Sequence, residues 1–178
     1  MSYIQSITPF LTGSTSAGAS ININFSSFYN QYTALQIRLY GLFPATTNTD
    51  LLLRVSTDGT TFDSGASAYQ YAWSYANSTI ASGTSNTLTS TGATSIQLGT
   101  AGGNYTNGQT NGVIEIMNTS SASFFPTVLW DLAYAGNGSG IARIQGAGSR
   151  LAAQVTKGIQ LLSSSGNITG SWAIYGFK

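Results

Sequence analysis

Few residues in this chain could carry chemistry. It has no histidine and no cysteine, which excludes nucleophile–histidine pairs, thiolate metal sites and disulfides. Two carboxylates can hydrolyse a glycosidic bond, and the acidic residues are Asp50, Asp58, Asp63, Glu115 and Asp131. Proton transfer also requires a partner and an environment that shifts a pKa, which this sparse set does not indicate. We therefore predict no enzymatic activity, no catalytic residue and no cofactor.

Two of the acids lie close together in the segment 58–63. Asp58 and Asp63, with the carbonyl and hydroxyl oxygens between them, offer the oxygen ligands that Ca²⁺ prefers. The segment lacks the acid density of an EF-hand loop, and Asp58-Gly59 is typical of a hydrogen-bonded turn. The turn is the favoured interpretation and no metal is expected, with Asp58 and Asp63 kept as candidate calcium ligands.

Glu115 and Asp131 lie in strand-like segments instead. They either meet across a sheet or pair with Arg38 or Arg54. The sequence is compatible with both arrangements. Ion pairs would be stabilised because cross-strand neighbours of opposite charge attract each other.

An aromatic row at 69–75 could bind a ligand of another kind. Tyr69, Tyr71, Trp73 and Tyr75 alternate with small or polar residues, so they share one face of a strand. Aromatic rings beside amides suit a carbohydrate, but such a row more often faces a core. We favour the core for the first three and take Tyr75 as a candidate glycan contact, together with Tyr105 in a later loop.

The row is half of a predicted central hairpin. Residues 51–55 alternate between leucine or valine and other residues, and Thr57-Asp58-Gly59-Thr60 is turn chemistry. A strand, a turn with a short loop and the aromatic strand would then form neighbours in one sheet.

Alternation also predicts strands elsewhere, and no segment has a helical period. These further strands are expected at 21–25, 35–39, 96–98, 113–118, 124–133, 141–145, 151–156, 159–161 and 172–176, and loops at 12–20, 76–93 and 99–112, with Gly146-Ala147-Gly148-Ser149 as a hairpin turn. The fold class is therefore an all-β antiparallel sandwich, jelly-roll-like, with about ten strands. We expect one domain at 21–178 after an amino-terminal arm and loop at 1–20.

The composition narrows the range of partners. Of 178 residues, 6% are charged and 42% hydrophobic, and the net charge is +1. The hydrophobic content argues against disorder, and the charge gives no basic surface for nucleic acid or an anionic membrane. The first residues also lack the pattern of a secretion signal. We expect no nucleic acid and no membrane partner, and synthesis in a host cytoplasm.

Two stretches carry a resemblance to a known group. Residues 43–65, with Leu-Arg-Val-Ser-Thr-Asp-Gly followed by Thr-Thr-Phe, and residues 158–178, with Ser-Ser-Gly-Asn-Ile and a closing Tyr-Gly, resemble surface proteins of tailed-bacteriophage virions. Residues 32–39 resemble a strand of the same group. The chain departs from the pattern in having a single glycine after Asp58 where two are common.

This resemblance implies a β-sandwich on the outside of a virion, commonly trimeric, without catalytic residues. We expect a capsid decoration, cement or head-fibre protein on the particle surface, whose partners are its own copies in a homotrimer and the major capsid protein or another virion protein. The alternative is a tail-fibre or spike module that binds host glycan. The assembly contacts are expected in the arm, at Tyr3, Ile4, Ile7, Phe10 and Leu11.

Overall fold

The computed structural model describes residues 8–47, 49–78, 86–101, 108–136 and 140–177. These ranges form two antiparallel sheets with twelve strands in total. No helix long and apolar enough to cross a membrane occurs within them.

The twelve strands are numbered in chain order. They are β1 (Leu11–Gly18), β2 (Ser20–Asn24), β3 (Ala34–Pro44), β4 (Thr49–Ser56), β5 (Tyr69–Asn77), β6 (Asn86–Ala93), β7 (Ile96–Ala101), β8 (Gln109–Met117), β9 (Thr127–Gly136), β10 (Gly140–Arg150), β11 (Gly158–Ser163) and β12 (Ile168–Phe177).

The strand order is that of an extended jelly roll. The larger sheet runs β1-β12-β3-β8-β9-β10-β5-β6, and the smaller runs β2-β11-β4-β7. Two strand pairs, β5-β6 and β9-β10, extend the larger sheet at one end. The remaining eight strands form two four-stranded sheets, ordered β1-β12-β3-β8 and β2-β11-β4-β7. In each of the pairs β1/β2, β3/β4, β7/β8 and β11/β12, which are consecutive among these eight, one strand belongs to each sheet. This is the two-sheet, eight-strand jelly-roll arrangement. The predicted all-β, jelly-roll-like sandwich is confirmed, with twelve strands rather than about ten.

Alternating apolar residues build the core between the sheets. Ile21, Ile23 and Phe25 face it from β2 and the residue after it, and Leu35 and Ile37 face it from β3; all are at most 1% exposed. Successive strand residues point to opposite faces, so this alternation predicts the buried side of each strand. Tyr69 and Trp73 of the aromatic row are buried here as well, which confirms their predicted place in the core.

The predicted central hairpin is wrong. β4 lies between β11 and β7 in the smaller sheet, whereas β5 lies between β10 and β6 in the larger one. The residues at 57–68 therefore cross from one sheet to the other instead of turning back. Local alternation identifies each strand but not its partner, because pairing depends on distant segments.

Two predicted loops and part of a third contain strands. Residues 11–18, inside the predicted arm and loop at 1–20, form β1 against β12, and residues 86–93 form β6 against β5. In the region predicted as a loop at 99–112, β7 continues to Ala101 and β8 begins at Gln109. In the part of the chain that the structure describes, β1 and β6 are the two edge strands of the larger sheet. Serine, threonine and glycine can form such strands without the apolar alternation of a strand that faces the core.

The predicted hairpin at 146–149 is also wrong. β10 runs straight through it, and residues 151–156 are not a strand. The reason is packing: a Cβ at Gly146 would overlap the Trp130 ring, and one at Gly148 would press on Ile96. Glycine in a strand often marks such a close approach rather than a turn.

Candidate functional site

The outer face of the larger sheet carries most of the features that could serve a function. Because strand residues alternate and cross-strand partners share a face, the register defines two rows across this face. One row is Tyr175, Gln36, Glu115, Leu129, Ala147, Ala72 and Thr89, and the next is Ala173, Arg38, Val113, Asp131, Gln145, Ser74 and Thr87.

Each charged side chain of these rows has a hydrogen-bond partner on the same face. Arg38 Nε donates a hydrogen bond to Gln36 Oε1 at 3.1 Å, and Gln36 Nε2 donates to Glu115 Oε1 at 3.0 Å. Arg143 Nε donates to Asp131 Oδ1 at 2.9 Å. The sequence left open a meeting of the two carboxylates or their pairing with Arg38 or Arg54. Asp131 forms its ion pair with neither of these arginines but with Arg143, its diagonal neighbour in β10.

The two strand carboxylates, Glu115 and Asp131, lie on the outer face of the larger sheet. Glu115 and Asp131 are diagonal neighbours on β8 and β9, and both line a groove of about 330 Å³ with Val113 and Leu129. The hydrogen bond from Arg143 lowers the pKa of Asp131. A general acid needs the opposite shift, so the contacts of Asp131 do not favour it as the proton donor of a glycosidase.

A second, larger groove of about 530 Å³ lies on the same face over β9, β10, β5 and β6. Ala72, Ala147 and Gly148 lie at its floor, and the other lining residues are Gln70, Tyr71, Thr89, Ser90, Thr91, Phe125, Thr127 and Ser149. None of these lining residues, all from the described part of the chain, is charged. Its chemistry is therefore that of neutral hydroxyl and amide groups beside one exposed aromatic ring.

No protein-family model matches the sequence, and no curated protein matches it. The functional argument therefore depends on the topology and on the residues of the described surface.

The candidate calcium residues act in two separate hydrogen-bond networks. Asp58 Oδ1 accepts from the backbone N–H of Thr60 and of Thr61, each at 2.7 Å, and from the Ser56 hydroxyl at 2.9 Å. These bonds, led by the one from Thr61, hold the Asp58 pKa far below its usual value.

Asp63 is bound elsewhere. Its Oδ1 accepts from Gly65 N at 3.0 Å, and its Oδ2 lies 2.7 Å from Arg150 Nε. Within the described residues no group of three or more acidic, histidine or cysteine ligands surrounds a common point. The contacts favour the hydrogen-bonded turn, and calcium binding stays a prediction.

The described part of the predicted assembly arm is packed on its own subunit. The Phe10 ring stacks on Tyr32 at 5.3 Å and tilts against Phe28 at 4.8 Å, while Leu11 pairs with Ile174 across β1 and β12. These contacts bury part of both side chains in the sandwich. Their contact with a second subunit stays a prediction.

Three arm residues, Tyr3, Ile4 and Ile7, lie outside the described residues, and so does the candidate glycan contact Tyr105.

Tyr75 lies on the inner side of β5, away from both grooves of the outer face. It is half-buried, its ring is 5.8 Å from that of Trp73, and it lines a recess of about 150 Å³ with Tyr134 and Ile144. Its role as a glycan contact stays a prediction.

The residues that sequence reasoning missed are Phe124 and Phe125. They are 65% and 46% exposed, although the sequence places them at the start of a predicted strand. The loop that carries them is ordered by hydrogen bonds: Ser121 Oγ accepts from the N–H of Ser123 and of Phe124 at 3.1 Å, and Asn118 Nδ2 donates to Phe125 O at 3.3 Å. The Phe-Phe-Pro sequence was an available signal, because Pro126 delays the strand and leaves both rings in the preceding loop.

Proposed function

We propose that this chain is a non-enzymatic structural protein of a tailed-bacteriophage virion, which decorates or cements the capsid exterior or forms a head fibre. The resemblance at 43–65 and 158–178 motivates the proposal. The jelly-roll order supports it, since this architecture occurs in viral capsid and lectin domains. Fold alone does not assign a function, so the surface must also be suited to assembly.

The observation that carries the proposal is an apolar end of the larger sheet. The register places Phe177, Ala34, Met117 and Thr127 in one row on the outer face. Phe124 belongs to the loop just before Thr127, and this loop is tied to Asn118 beside Met117. We call Phe177, Met117, Phe124 and Phe125 the apolar end of the sheet. A cluster of exposed apolar side chains on a face typically marks a contact surface.

The low charge supports the same proposal. Charged groups are costly to desolvate at an interface, and interface cores are depleted of them. The row formed by Phe177, Ala34, Met117 and Thr127 has no charged residue. Closed symmetry would let each copy use this surface again, as in a trimer.

The experiment is to locate the protein in purified particles of the phage that encodes it, by gold labelling and particle reconstruction. We expect it on the capsid exterior, in symmetric groups. Occupancy is then compared for Phe124→Ser and for Ile141→Ser, since both residues are 65% exposed and Ile141 lies at the opposite end of the same face.

Burial of one phenylalanine contributes about 1.5–3 kcal/mol. Phe124→Ser should therefore lower the affinity for the particle roughly tenfold or more, with Ile141→Ser close to wild type. If the protein is absent from particles, the proposal fails. If Ile141→Ser alone lowers the occupancy, the apolar end is not the contact surface.

A further inference from the structure

The groove over β9, β10, β5 and β6 has a shape set by small side chains. Ala147 faces Leu129 on one neighbouring strand and Ala72 on the other, and Ala72 faces Thr89. Two adjacent alanines on a solvent-facing sheet surface leave a trough between longer neighbours. Its volume of about 530 Å³ lies in the range of binding sites for small ligands.

The sides of the trough combine the exposed ring of Phe125 with neutral hydrogen-bonding groups. Phe125 is at one side, and its backbone is fixed by the bond from Asn118. Thr127, at the start of β9, supplies a hydroxyl close to Phe125 in the chain. Gln70 and Thr89 supply an amide and a hydroxyl from β5 and β6. Each hydroxyl and the amide can donate and accept a hydrogen bond.

This combination selects for a class of ligand. A sugar ring has an apolar face that covers an aromatic ring and an edge of hydroxyl groups that bond to amides and hydroxyls. Among the described residues that line the groove there is no cation to neutralise a phosphate, sulfate or carboxylate, and no anion to hold an amine. We propose that this groove binds an uncharged oligosaccharide, with Phe125 as the stacking residue and Gln70, Thr89 and Thr127 as hydrogen-bonding residues.

The proposed site differs from the one that the aromatic row suggested. Tyr75 projects from the inner side of β5, whereas Gln70 and Ala72 project from its outer side. The groove shares Phe125 and Thr127 with the surface proposed to contact the particle. Binding by the purified chain requires no particle, so it is tested separately from the proposed role in the virion.

The test uses the purified full chain on an array that carries neutral, sialylated, sulfated and phosphorylated glycans, followed by calorimetry with the best neutral oligosaccharide. We expect saturable binding of neutral glycans, in the micromolar to millimolar range typical of shallow sites at about −4 to −8 kcal/mol. Phe125→Ser should weaken the binding roughly tenfold or more, because it removes the stacking ring.

Ala147→Leu should abolish the binding, because the larger leucine side chain would fill the floor of the trough. Ala133→Leu is the matched control: Ala133 is also exposed on the outer face, in β9, but does not line the groove. It should bind like wild type. Thermal unfolding of all three variants shows whether the fold is intact, and Ala147 is exposed enough for the leucine to be tolerated.

Three results would each overturn the inference: no saturable binding of any neutral glycan up to about 1 mM protein, a preference for charged glycans, or Ala147→Leu binding as well as Ala133→Leu. None of them bears on particle incorporation. Conversely, absence from particles leaves the oligosaccharide result unchanged.

Discussion

The hydroxyl of Tyr69 lies 2.9 Å from the backbone nitrogen of Val55 and joins the two sheets through the core. It accepts from that N–H and donates to the carbonyl oxygen of Asp63, also at 2.9 Å. β7 pairs with β4 only as far as Leu53, so Val55 lies beyond the end of this ladder. Tyr69 thus supplies a partner that the neighbouring strand does not.

Removal of this hydroxyl should destabilise the fold. In Tyr69→Phe the buried Val55 N–H loses its partner, which costs about 1–3 kcal/mol. Tyr71→Phe is the control, since its hydroxyl bonds to Gln97 Oε1 at 3.0 Å at a half-exposed position and its loss should cost less than about 1 kcal/mol. Urea unfolding measures both, and equal losses would contradict the bridging role of Tyr69.

The same residue should make stability fall at alkaline pH. Burial raises the pKa of Tyr69 to about 12 from 10.0, so the folded state keeps a proton that the unfolded state has lost. This contribution is complete below about pH 10 and is lost as the pH rises toward 12. The difference in unfolding free energy between wild type and Tyr69→Phe should shrink by roughly 2–3 kcal/mol over that interval. A constant difference from pH 9 to 12 would show that the hydroxyl ionises as freely in the fold as in the unfolded chain.

Alternation in the sequence predicts which strands exist where one face is buried. Leu35 and Ile37 in β3, and Leu51 and Leu53 in β4, follow this pattern and lie in the core. The alternation works because a two-residue period maps directly onto the two faces of a strand.

The pattern predicts neither which strands pair with each other nor where the edge strands lie. Thr12 to Gly18 and Asn86 to Ala93 consist mainly of threonine, serine and glycine, and they are strands because β12 and β5 offer free edges to them. The groove could not be predicted for the same reason. Ala72 and Ala147 are far apart in the sequence and become adjacent only through the register of β5 and β10.

Gly146 should tolerate no side chain, although the sequence resembles a turn there. A Cβ would overlap the Trp130 ring and lie 2.7 Å from the carbonyl oxygen of Ala72. Gly146→Ala should therefore cost roughly 1–3 kcal/mol, as overpacking does, and should shift the tryptophan fluorescence. Ala147→Ser, at the next and exposed position of β10, should stay within about 0.5 kcal/mol. If Gly146→Ala is equally neutral, the ring does not pack on this glycine.

Asp58 is expected to stabilise its turn without calcium. Its Oδ1 accepts from two backbone N–H groups and the Ser56 hydroxyl, so replacement by alanine should lower the melting temperature in chelator. Asp58→Asn should lower it less, since the amide oxygen can still accept. Addition of millimolar Ca²⁺ should leave the wild-type melting temperature unchanged. A rise that Asp58→Asn and Asp63→Asn both abolish would instead establish a calcium site.

Protonation of Asp63 should lower the free energy of unfolding in acid. The N–H of Gly65 and then Arg150 lower its pKa from 3.8, so between the two pKa values the unfolded state binds a proton that the folded state does not. The contribution is therefore complete above about pH 5 and is lost as the pH falls through the folded pKa. Asp63→Asn does not titrate, so the difference in urea midpoint between it and wild type should shrink from pH 6 to about pH 2.

Arg150→Gln separates the two causes of this pKa shift. The bond from Gly65 is the larger cause and remains in this variant, so most of the acid dependence assigned to Asp63 should persist while the ion pair with Arg150 is lost. Because Asp58 titrates alike in all three proteins, its own lowered pKa cancels from each difference. If Arg150→Gln is as flat in acid as Asp63→Asn, the guanidinium and not the backbone N–H holds the carboxylate in its charged form.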